Sequence, residues 1–401
     1  MDDDLIDSDG LSLSRKSRLP GAGFFYPDSL DEDYADRRAR EAIEGAATVV
    51  VADGDADGLA SVALLRERYD AALDVAPFEE SLAARTDPQL DDEAEEDGED
   101  SSVGLVTASP HSLSDALERV AEYADPGVDV YVCDLCPDDE SITEVVDAVV
   151  DCAGRVRWFD HHQWDDDVAA AVRDAGVDLV VGESDEECTA DVTLRSLDVD
   201  FPDHLVDLAA VTRDHDLWIK EDPRSDDLAD YAHWAGAEEY VTVVGRYGPA
   251  LPAPVVDYLD HRRVEKEQLI EAAVDRAEMR SVGPWTVGVT YGRCSQNEVA
   301  EALRERGADA AVVVKPAGSA SIRGSEGFER AHEVAALVNG GGHPRAAGCK
   351  PDIYEDMLDY AHHWTTEGYA TRQVILAAFE RVAEDAERAD EADEADDADE
   401  N

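Results

Sequence analysis

Residues 47–61 read ATVVVADGDADGLAS. The first half is a continuous run of small and β-branched apolar residues, which is typical of a strand buried on both faces. Two glycines and three aspartates follow, and then residues 59–69 carry apolar side chains at helical spacing. A buried strand that turns directly into a helix predicts the first unit of a parallel α/β sheet.

Further short apolar runs extend this pattern. In the N-terminal half they lie at 103–107, 128–134, 155–160 and 177–182, with helical stretches between them. After residue 222 the pattern changes, since 254–280 predicts one long charged helix. Strands are then predicted at 285–291, 308–315 and 319–324, and helices at 329–338 and 373–388. The sequence therefore predicts an α/β protein with an N-terminal parallel-sheet domain, a long helical linker and a smaller C-terminal α/β domain.

Acidic and imidazole side chains follow three of the predicted strands. They are Asp53, Asp55 and Asp57 after the first strand, Asp134 after the third, and Asp160, His161 and His162 after the fourth. Ligands of parallel sheets bind beyond the carboxyl ends of the strands, where the strand order reverses, so we expect these side chains to converge. Converging carboxylates raise one another's pKa unless a cation relieves the repulsion.

The composition of this set indicates the kind of metal. A mixture of Asp and His suits Mn²⁺, Fe²⁺, Co²⁺ or Zn²⁺ better than Ca²⁺, which prefers oxygen ligands alone. The set offers more ligands than one ion needs. A bridging Asp would hold two ions about 3.5–4 Å apart, a geometry that generates a hydroxide nucleophile and stabilises an in-line phosphoryl displacement.

Taken together, three motifs resemble those of the DHH phosphoesterase superfamily: DGDADG at 53–58, the Asp-ended third strand, and DHH at 160–162. GGGHPRAAG at 340–348 is similar to the signature of the C-terminal domain associated with that family. The resemblance covers about residues 45–350. It implies a cleft between the two domains and an activity like that of RecJ-like single-strand exonucleases and oligoribonucleases, with two divalent ions, Mn²⁺ above Mg²⁺ or Co²⁺.

The resemblance also implies a role for each matching residue. The metal ligands would be Asp53, Asp55, Asp57, Asp134, His161 and, in the fourth motif, Asp214, with His215 and Asp216 as rivals. Many relatives carry His where this chain has Asp53. His162 would lie near the scissile phosphate, and Asp160 would orient His161. The C-terminal domain would bind substrate through Arg323, Gly340, Gly341, Gly342, His343 and Arg345.

The resemblance and the composition shifts together suggest where the domains begin and end. We expect an N-terminal extension (1–40), a catalytic domain (41–250) with an acidic loop (86–102), a helical linker (251–281), a substrate-binding domain (282–370), and a helix with a disordered acidic tail (371–401). The helix at 373–388 would then end at Arg388.

The charge of the 401-residue chain is its most unusual global property. It has 96 Asp and Glu against 34 Lys and Arg, a formal net charge of −62, and only five lysines. The acidic loop and the tail explain only a part of this, so the acidity is spread over the whole surface. That pattern resembles proteins from organisms that accumulate molar salt, where the Debye length is about 3 Å; an ordinary acidic protein is the alternative. No apolar run approaches the ~20 residues that span a bilayer, and we expect a cytoplasmic protein.

Several other residues receive a structural interpretation. Cys133 and Cys136 form a CxxC without a second pair, and Cys133 is expected in the core. Trp158 and Trp164 favour core packing over base stacking. The pair His362 and His363 follows no strand and is expected at the surface.

Three functions from different classes remain open on the sequence. The first is a phosphodiesterase that digests single-stranded DNA, RNA or short oligonucleotides from an end, or that instead hydrolyses a small phosphoester such as a cyclic dinucleotide or a bisphosphorylated nucleotide. The second is a catalytically silent binding module with a replication or repair partner. The third is an inorganic pyrophosphatase, which the GGGHPRAAG motif at 340–348 disfavours. Oligomeric state, DNA or RNA preference and polarity of digestion do not follow from the sequence.

Overall fold

The structure is a computed structural model that describes residues 28–86, 101–137, 139–354 and 357–399. The chain divides into two compact units, one of residues 28–261 and one that begins at Arg262. Most of the acidic loop and of the N-terminal extension expected from the sequence lies outside the described residues. Among the described residues, no helix has the length and apolar character to cross a bilayer.

The first unit alternates strands and helices as the sequence predicts. Its elements in chain order are α1 (Asp28–Ile43), β1 (Thr48–Asp53), α2 (Ala56–Arg68), α3 (Ala76–Thr86), β2 (Val103–Ala108), α4 (Leu113–Tyr123), β3 (Asp129–Cys133), α5 (Ile142–Cys152), β4 (Arg155–Asp160), α6 (Asp166–Asp174), β5 (Asp178–Val181), α7 (Thr189–Ser196), α8 (Asp203–Asp216), α9 (Arg224–Trp234), α10 (Ala237–Tyr247) and α11 (Ala253–Asp275). The boundary between the two units falls within α11.

The five strands of this unit form one parallel sheet in the order β2-β1-β3-β4-β5. Because β1 has β2 on one side and β3 on the other, the strand order reverses between β1 and β3. Alternate residues of a strand point to opposite faces. In β1, Val49 and Val51 enter one apolar core while Val50 and Ala52 enter another. Both faces are therefore covered, which confirms the predicted parallel-sheet domain.

The turn from β1 into α2 depends on Gly58. A Cβ at this position would lie 2.4 Å from the carbonyl oxygen of Asp53, so only glycine lets the helix begin so close to the strand end. Asp55 is the N-cap, since its Oδ1 accepts hydrogen bonds from the amides of Asp57 and Gly58. The helix therefore begins at Ala56 rather than at the predicted Leu59, and Asp57 lies in its first turn.

The second unit contains a six-stranded mixed sheet in the order β10-β11-β9-β8-β7-β6. Its elements are β6 (Glu278–Val282), β7 (Trp285–Tyr291), α12 (Gln296–Glu305), β8 (Ala310–Val314), β9 (Ala320–Gly324), α13 (Ala331–Ala336), β10 (Gly340–Gly342), β11 (Ala346–Cys349), α14 (Met357–Thr365) and α15 (Tyr369–Asp399). Only β7 and β8 pair in parallel among the described strands of this sheet. Apolar cores cover both faces of this sheet too, with Val312 in one and Val313 in the other. The second α/β unit is thus confirmed.

The long helix ends earlier than the sequence predicts. The sequence predicts a helix that reaches Arg280, but α11 ends at Asp275 and residues 278–282 form strand β6. The sequence Gly283-Pro284 explains the difference. Gly283 adopts a φ of +53°, and the turn pairs β6 antiparallel with β7. The backbone of 278–282 therefore finds its hydrogen-bond partners in the sheet instead of in a helix.

Two expectations about the C-terminal region are wrong. The last helix runs to Asp399 instead of ending at Arg388, and no glycine or proline interrupts the sequence of residues 369–399. His363 is buried, not at the surface as expected. Its ring nitrogens bond the hydroxyl of Tyr354 at 2.6 Å and the carbonyl of Lys315 at 2.9 Å, which ties α14 to the end of β8.

Candidate metal centre

Asp57 is held at the carboxyl end of the first sheet by the start of α7. Its Oδ2 accepts a hydrogen bond from the amide of Thr189 at 2.6 Å, and its Oδ1 accepts one from the amide of Ala190 at 2.8 Å. The first amides of a helix have no partner within the helix, and they favour a negative charge. Even so, burial and the neighbouring Asp55 raise the pKa of Asp57 to about 7. The site therefore contains a carboxylate that its surroundings only partly compensate.

Asp134 follows β3 in a left-handed backbone conformation, with a φ of +61°. Aspartate tolerates this region better than most residues, although the conformation still costs roughly 1 kcal/mol. The hydroxyl of Thr189 donates to its Oδ1 at 2.9 Å, so the same threonine contacts both Asp57 and Asp134. Burial, with the charges of Asp57, Asp55 and Asp216 adding to it, raises the pKa of Asp134 well above its ordinary value.

His161 lies between the carboxylates. Its Nε2 is 3.3 Å from Asp216 Oδ2, 3.8 Å from Asp134 Oδ1 and 4.0 Å from Asp57 Oδ2. Burial, assisted by the neighbouring His162, lowers the pKa of this imidazole, so the ring is neutral at physiological pH. A neutral imidazole has one nitrogen lone pair to offer as a ligand.

The residues present fit a divalent cation. There are two groups of three possible ligand atoms, and within each group the atoms lie no more than 4.8 Å apart. One group comes from Asp134, His161 and His162, and the other from Asp57, His161 and Asp216. Burial, followed by the charges of Asp57 and Asp55, raises the pKa of Asp216 to about 8. Its Oδ2 is buried and has no hydrogen-bond partner among the described residues. The carboxyl groups of Asp57, Asp134 and Asp216 thus have raised pKa values, and one carboxyl oxygen lacks a hydrogen bond. A bound cation would stabilise this site.

Asp216, not Asp214, lies in this cluster. The carboxylate of Asp214 accepts hydrogen bonds from the amides of Glu221 at 2.9 Å and Asp222 at 3.1 Å, and so fixes the turn after α8. Burial opposes its charge, but these amides and Ser225 lower its pKa. Residues two apart on a helix point in nearly opposite directions. The structure therefore places Asp214, the residue expected as the fourth-motif ligand, outside the cluster, and Asp216, one of its two rivals, inside it.

Asp160 orients His162 instead of His161. Its Oδ1 is 2.8 Å from His162 Nδ1, and its Oδ2 accepts a 2.6 Å hydrogen bond from the indole of Trp164. The rings of His161 and His162 lie side by side, with centroids 4.6 Å apart, but only that of His162 is hydrogen-bonded to Asp160. Burial disfavours the charged form of His162, but the hydrogen bond and charge of Asp160 outweigh it and raise the pKa to about 9.

Asp53 and Asp55 lie outside the two groups of ligand atoms. Asp53 is half-buried, and burial together with Asp55 raises its pKa to about 6. Asp55 is exposed and uses Oδ1 to cap α2. Both tryptophans near the cluster pack in the core, as expected: Trp158 is fully buried, and Trp164 packs against the same core while its indole also donates to Asp160. Cys133 is also buried in the core, as expected.

The glycine-rich motif of the second unit forms a hairpin of β10 and β11. A Cβ on Gly340 would lie 2.1 Å from the carbonyl oxygen of Gly348, and one on Gly342 would lie 2.6 Å from that of Ala346. A Cβ on Gly341 would meet nothing within 4 Å. Two of the three glycines therefore permit close approach of one strand to the other, and only Gly341 faces open space.

The three basic residues expected to bind substrate lie on or next to this hairpin. Arg323 in β9 pairs in register with Ala346 of β11, and its guanidinium donates to Asn297 and to the carbonyls of Ile322 and Ala347. Burial and the nearby Arg304 lower its pKa. His343 and Arg345 are exposed, and Arg345 Nε is 3.9 Å from Glu329.

Thr189 is the site residue that the sequence analysis missed. It follows β5, so it lies at the same edge of the sheet as the predicted ligands. The rule applied to the first, third and fourth strand ends would have pointed to the fifth as well. A search for metal-ligating residue types does not find Thr189, because its amide and hydroxyl donate hydrogen bonds to the candidate ligands Asp57 and Asp134.

No protein-family model and no curated protein matches the chain. Solved structures do match. RecJ from Thermus thermophilus in complex with Mn²⁺ is 16% identical, with a TM-score of 0.51 over 87% of this chain and 54% of RecJ, so the chain spans about half the length of that protein.

Other matches have lower TM-scores. The DHH domain of a protein described as a member of a family of ribosomal proteins is 14% identical over 87% of this chain and 88% of that one, with a TM-score of 0.48. An uncharacterized protein from Helicobacter pylori is 13% identical over 81% of this chain and 99% of that one, with a TM-score of 0.34. The likeness to RecJ shows that this chain shares the fold of that protein. The Asp/His cluster at the strand ends is a feature of this chain's own structure.

Proposed function

We propose that the protein is a metal-dependent phosphodiesterase that hydrolyses single-stranded DNA, RNA or short oligonucleotides from an end and releases nucleoside monophosphates. The observation that supports this proposal is the convergence of Asp57, Asp134 and Asp216 within 4.0 Å of one nitrogen of His161. Divalent cations bound there, two in number and most suitably Mn²⁺ with Mg²⁺ or Co²⁺ as substitutes, supply a nucleophile at neutral pH and neutralise charge on the phosphoryl group.

The chain's own residues prepare the site for that chemistry. Thr189 fixes Asp57 and Asp134, so both carboxylates are oriented before any ligand binds. His162 lies in one of the two groups of candidate ligands, but Asp160 accepts the proton of its Nδ1 and holds its pKa at about 9, so we assign the protonated ring to the substrate and not to a metal. The second proton of the ring, on Nε2, is then available to bond a phosphate oxygen and to protonate a leaving oxygen. These residues bind and polarise a phosphodiester without recognising a particular base.

Replacement of Asp134 tests the proposal directly. Because Asp134 has a positive φ, Asp134→Asn is a better variant than Asp134→Ala, since asparagine tolerates the same backbone. Both variants should lose at least about a thousandfold of the Mn²⁺-dependent hydrolysis, because a central ligand is gone. Asp147→Ala, an exposed change on α5, is the matched control, and far-ultraviolet circular dichroism checks the fold. Retained hydrolysis in Asp134→Asn would contradict the proposal.

A substrate panel separates this function from its alternatives. Hydrolysis of a dinucleotide, a cyclic dinucleotide, a bisphosphorylated nucleotide and 20-mers with different 5′ and 3′ ends would be compared in Mn²⁺. A preference for the cyclic or bisphosphorylated compound would replace the exonuclease by a small-phosphoester hydrolase. A protein that binds no Mn²⁺ at equilibrium would instead be a binding module for a replication or repair protein.

The proposed setting is a cytoplasm at high salt. None of the described cysteines forms a disulfide, which suits a reducing compartment. With a net charge of −62, the surface repels polyanions unless salt screens it, and at about 1 M salt the screening length is about 3 Å. We expect hydrolysis to persist or rise between about 0.2 and 2 M KCl, whereas an enzyme with a basic groove loses affinity steeply. A steep loss of activity with salt would count against this setting.

A further inference from the structure

Two different helices of the first unit hold the candidate metal ligands. The start of α7 binds two of them, because the amide of Thr189 donates to Asp57 and its hydroxyl donates to Asp134. The last residue of α8 is Asp216, whose Oδ2 is buried and has no hydrogen-bond partner among the described residues. The distance between Asp216 and the other two ligands therefore depends on how the start of α7 lies relative to the end of α8.

An ion pair joins these two helix ends. One nitrogen of the Arg213 guanidinium, Nη1, donates to both carboxylate oxygens of Asp191, at 3.0 and 3.1 Å. Asp191 belongs to the first turn of α7 and Arg213 to the last turn of α8. The side chain of Asp191 is 16% exposed and that of Arg213 is 35% exposed, so water screens the pair only in part. The pair therefore connects the start of one helix to the end of the other.

Asp191 also fixes the turn that binds the first ligand. Its Oδ2 accepts a hydrogen bond from the amide of Cys188 at 3.2 Å, which is one half of a capping box at the start of α7. The same turn presents the amides of Thr189 and Ala190 to the carboxylate of Asp57. A force on Asp191 is therefore transmitted to the groups that orient Asp57.

Arg213 is linked in the same way to the ligand on α8. It lies three residues before Asp216, and residues at this spacing lie on the same side of a helix. Burial, followed by the charge of Asp57, raises the pKa of Asp216 to about 8, so the last residue of α8 is repelled by the ligand that α7 holds. The attraction between Arg213 and Asp191 opposes that repulsion across the same two helices.

We propose that Asp191 and Arg213 are positioning residues of the metal centre, and that their ion pair keeps Asp216 within reach of a cation that Asp57 and Asp134 bind. The inference rests on the cation site of the proposed function but not on the identity of the substrate. Replacement of residues that orient metal ligands typically weakens metal binding by about 10–100-fold. The pair should therefore be measurable in the affinity for the metal itself.

The sign of the effect separates positioning from simple electrostatics. Arg213 carries a positive charge close to a cation site, so loss of that charge alone should tighten Mn²⁺ binding. Loss of the ion pair should instead weaken binding, because the repelling ligands are no longer held together. A lower affinity for Mn²⁺ after the removal of a positive charge therefore identifies the positioning role.

Mn²⁺ dissociation constants of the full chain, measured by equilibrium dialysis without substrate, test the inference. Arg213→Met removes the charge, and we expect the dissociation constant to rise by about tenfold or more. Arg195→Met is the matched control, because Arg195 makes an ion pair with Glu187, which lies just before α7 and not on α8. Its constant should stay within about twofold of the wild-type value. An unchanged or smaller constant in Arg213→Met would overturn the proposal.

Conservative variants exclude a purely structural role. Because one nitrogen makes both contacts, the ammonium of Arg213→Lys can replace it, and the constant should stay within about threefold of wild type. A lysine variant that binds Mn²⁺ as weakly as Arg213→Met would contradict the proposal. If Arg213→Met does not fold, Arg213→Gln takes its place and should raise the constant by about threefold. A lower melting temperature with unchanged Mn²⁺ affinity in Arg213→Gln would assign the pair to stability alone and overturn the proposal.

The result is separable from that of the proposed function, because no substrate is present in the dialysis. If Arg213→Met binds Mn²⁺ more weakly but the wild-type protein hydrolyses no member of the substrate panel, the positioning role stands and the phosphodiesterase proposal fails. If the wild-type protein hydrolyses oligonucleotides and Arg213→Met keeps its Mn²⁺ affinity, the phosphodiesterase proposal stands and the positioning role fails.

Discussion

The two motif-bearing regions of this molecule use their special residues in opposite ways. At the end of the first sheet, the buried Asp57 and Asp134 lie close to the half-buried Asp216, and each of the three has a raised pKa. In the hairpin of the second sheet, Gly340 and Gly342 lie against backbone carbonyls that leave no space for a side chain. The acidic cluster is destabilised by its own charges, whereas the hairpin is satisfied by its own hydrogen bonds.

This difference shows which motif needs a ligand. A cluster whose charges repel one another is maintained at a cost that a bound cation would offset. The glycines of the hairpin have a sufficient structural explanation without any ligand, apart from Gly341, which faces open space. The glycine motif and the acidic motif thus do not carry equal functional information.

The largest expected effect concerns the fourth-motif aspartate. Asp216→Asn should lower Mn²⁺-dependent hydrolysis by about a hundredfold or more, because it removes a carboxylate 3.3 Å from His161 Nε2. Equilibrium dialysis should show weaker Mn²⁺ binding. Asp214→Asn is the matched variant two residues away. It should keep Mn²⁺ binding and instead lower thermal stability, because Asp214 accepts two amide hydrogen bonds. If Asp214→Asn weakened Mn²⁺ binding and Asp216→Asn did not, Asp214 would be the metal ligand.

The next effect separates the glycines of the hairpin. Gly340→Ala should destabilise the second unit by about 3 kcal/mol, because its Cβ would lie 2.1 Å from the carbonyl oxygen of Gly348. Gly341→Ala should cost less than about 1 kcal/mol, since its Cβ would meet nothing within 4 Å. Chemical denaturation of both variants measures the difference. Equal stabilities would show that the hairpin backbone is not packed as the structure has it.

The smallest effect is the pH dependence of the metal-free protein. Asp53, Asp57 and Asp216 have folded-state pKa values of about 6, 7 and 8, all above the ordinary value of an aspartate in the unfolded chain. A group with a raised pKa contributes stability that is present below its unfolded-state pKa and lost as pH rises through its folded-state pKa. Stability in the presence of a chelator should therefore fall between about pH 4 and 8.

A neutral substitute at the cluster provides the control. Asp216→Asn should flatten this pH dependence and raise the melting temperature of the metal-free protein at pH 8 by about 3 °C or more. Mn²⁺ should restore the stability of the wild-type protein at the same pH. A wild-type melting temperature that rises between pH 5 and 8 without metal would show that the acids of the cluster are compensated by the protein alone.

Much of the fold could be predicted from sequence because its signals are local. The apolar run at 47–53 predicts a strand from a few neighbouring residues alone, and the predicted bounds of strand β4 are the observed ones, Arg155–Asp160. Strand β6 was missed because its identity depends on pairing with β7 through the Gly283-Pro284 turn. The charged residues of 278–282 carry no strand periodicity that would override a helical pattern.

The sequence predicts at which ends of the strands the candidate site lies, but not which side chains contact one another there. Sequence placed Asp57, Asp134 and His161 at one edge of the sheet, because parallel strands bring their carboxyl ends together. The sequence does not decide between Asp214 and Asp216, because both lie in the last turn of α8. They differ only in the side of the helix from which the side chain projects, and the sequence does not show which side faces the strand ends.

By itself, then, the sequence determined the class of fold, the edge of the sheet at which the acids and imidazoles gather, and the excess of negative charge. Only the tertiary structure decided which atoms meet: Asp216 with His161, Asp160 with His162, and Thr189 with both Asp57 and Asp134. The physical reason is range. Periodicity and capping act over a few residues of chain, whereas these contacts join different strands and helices whose relative orientation is set by packing.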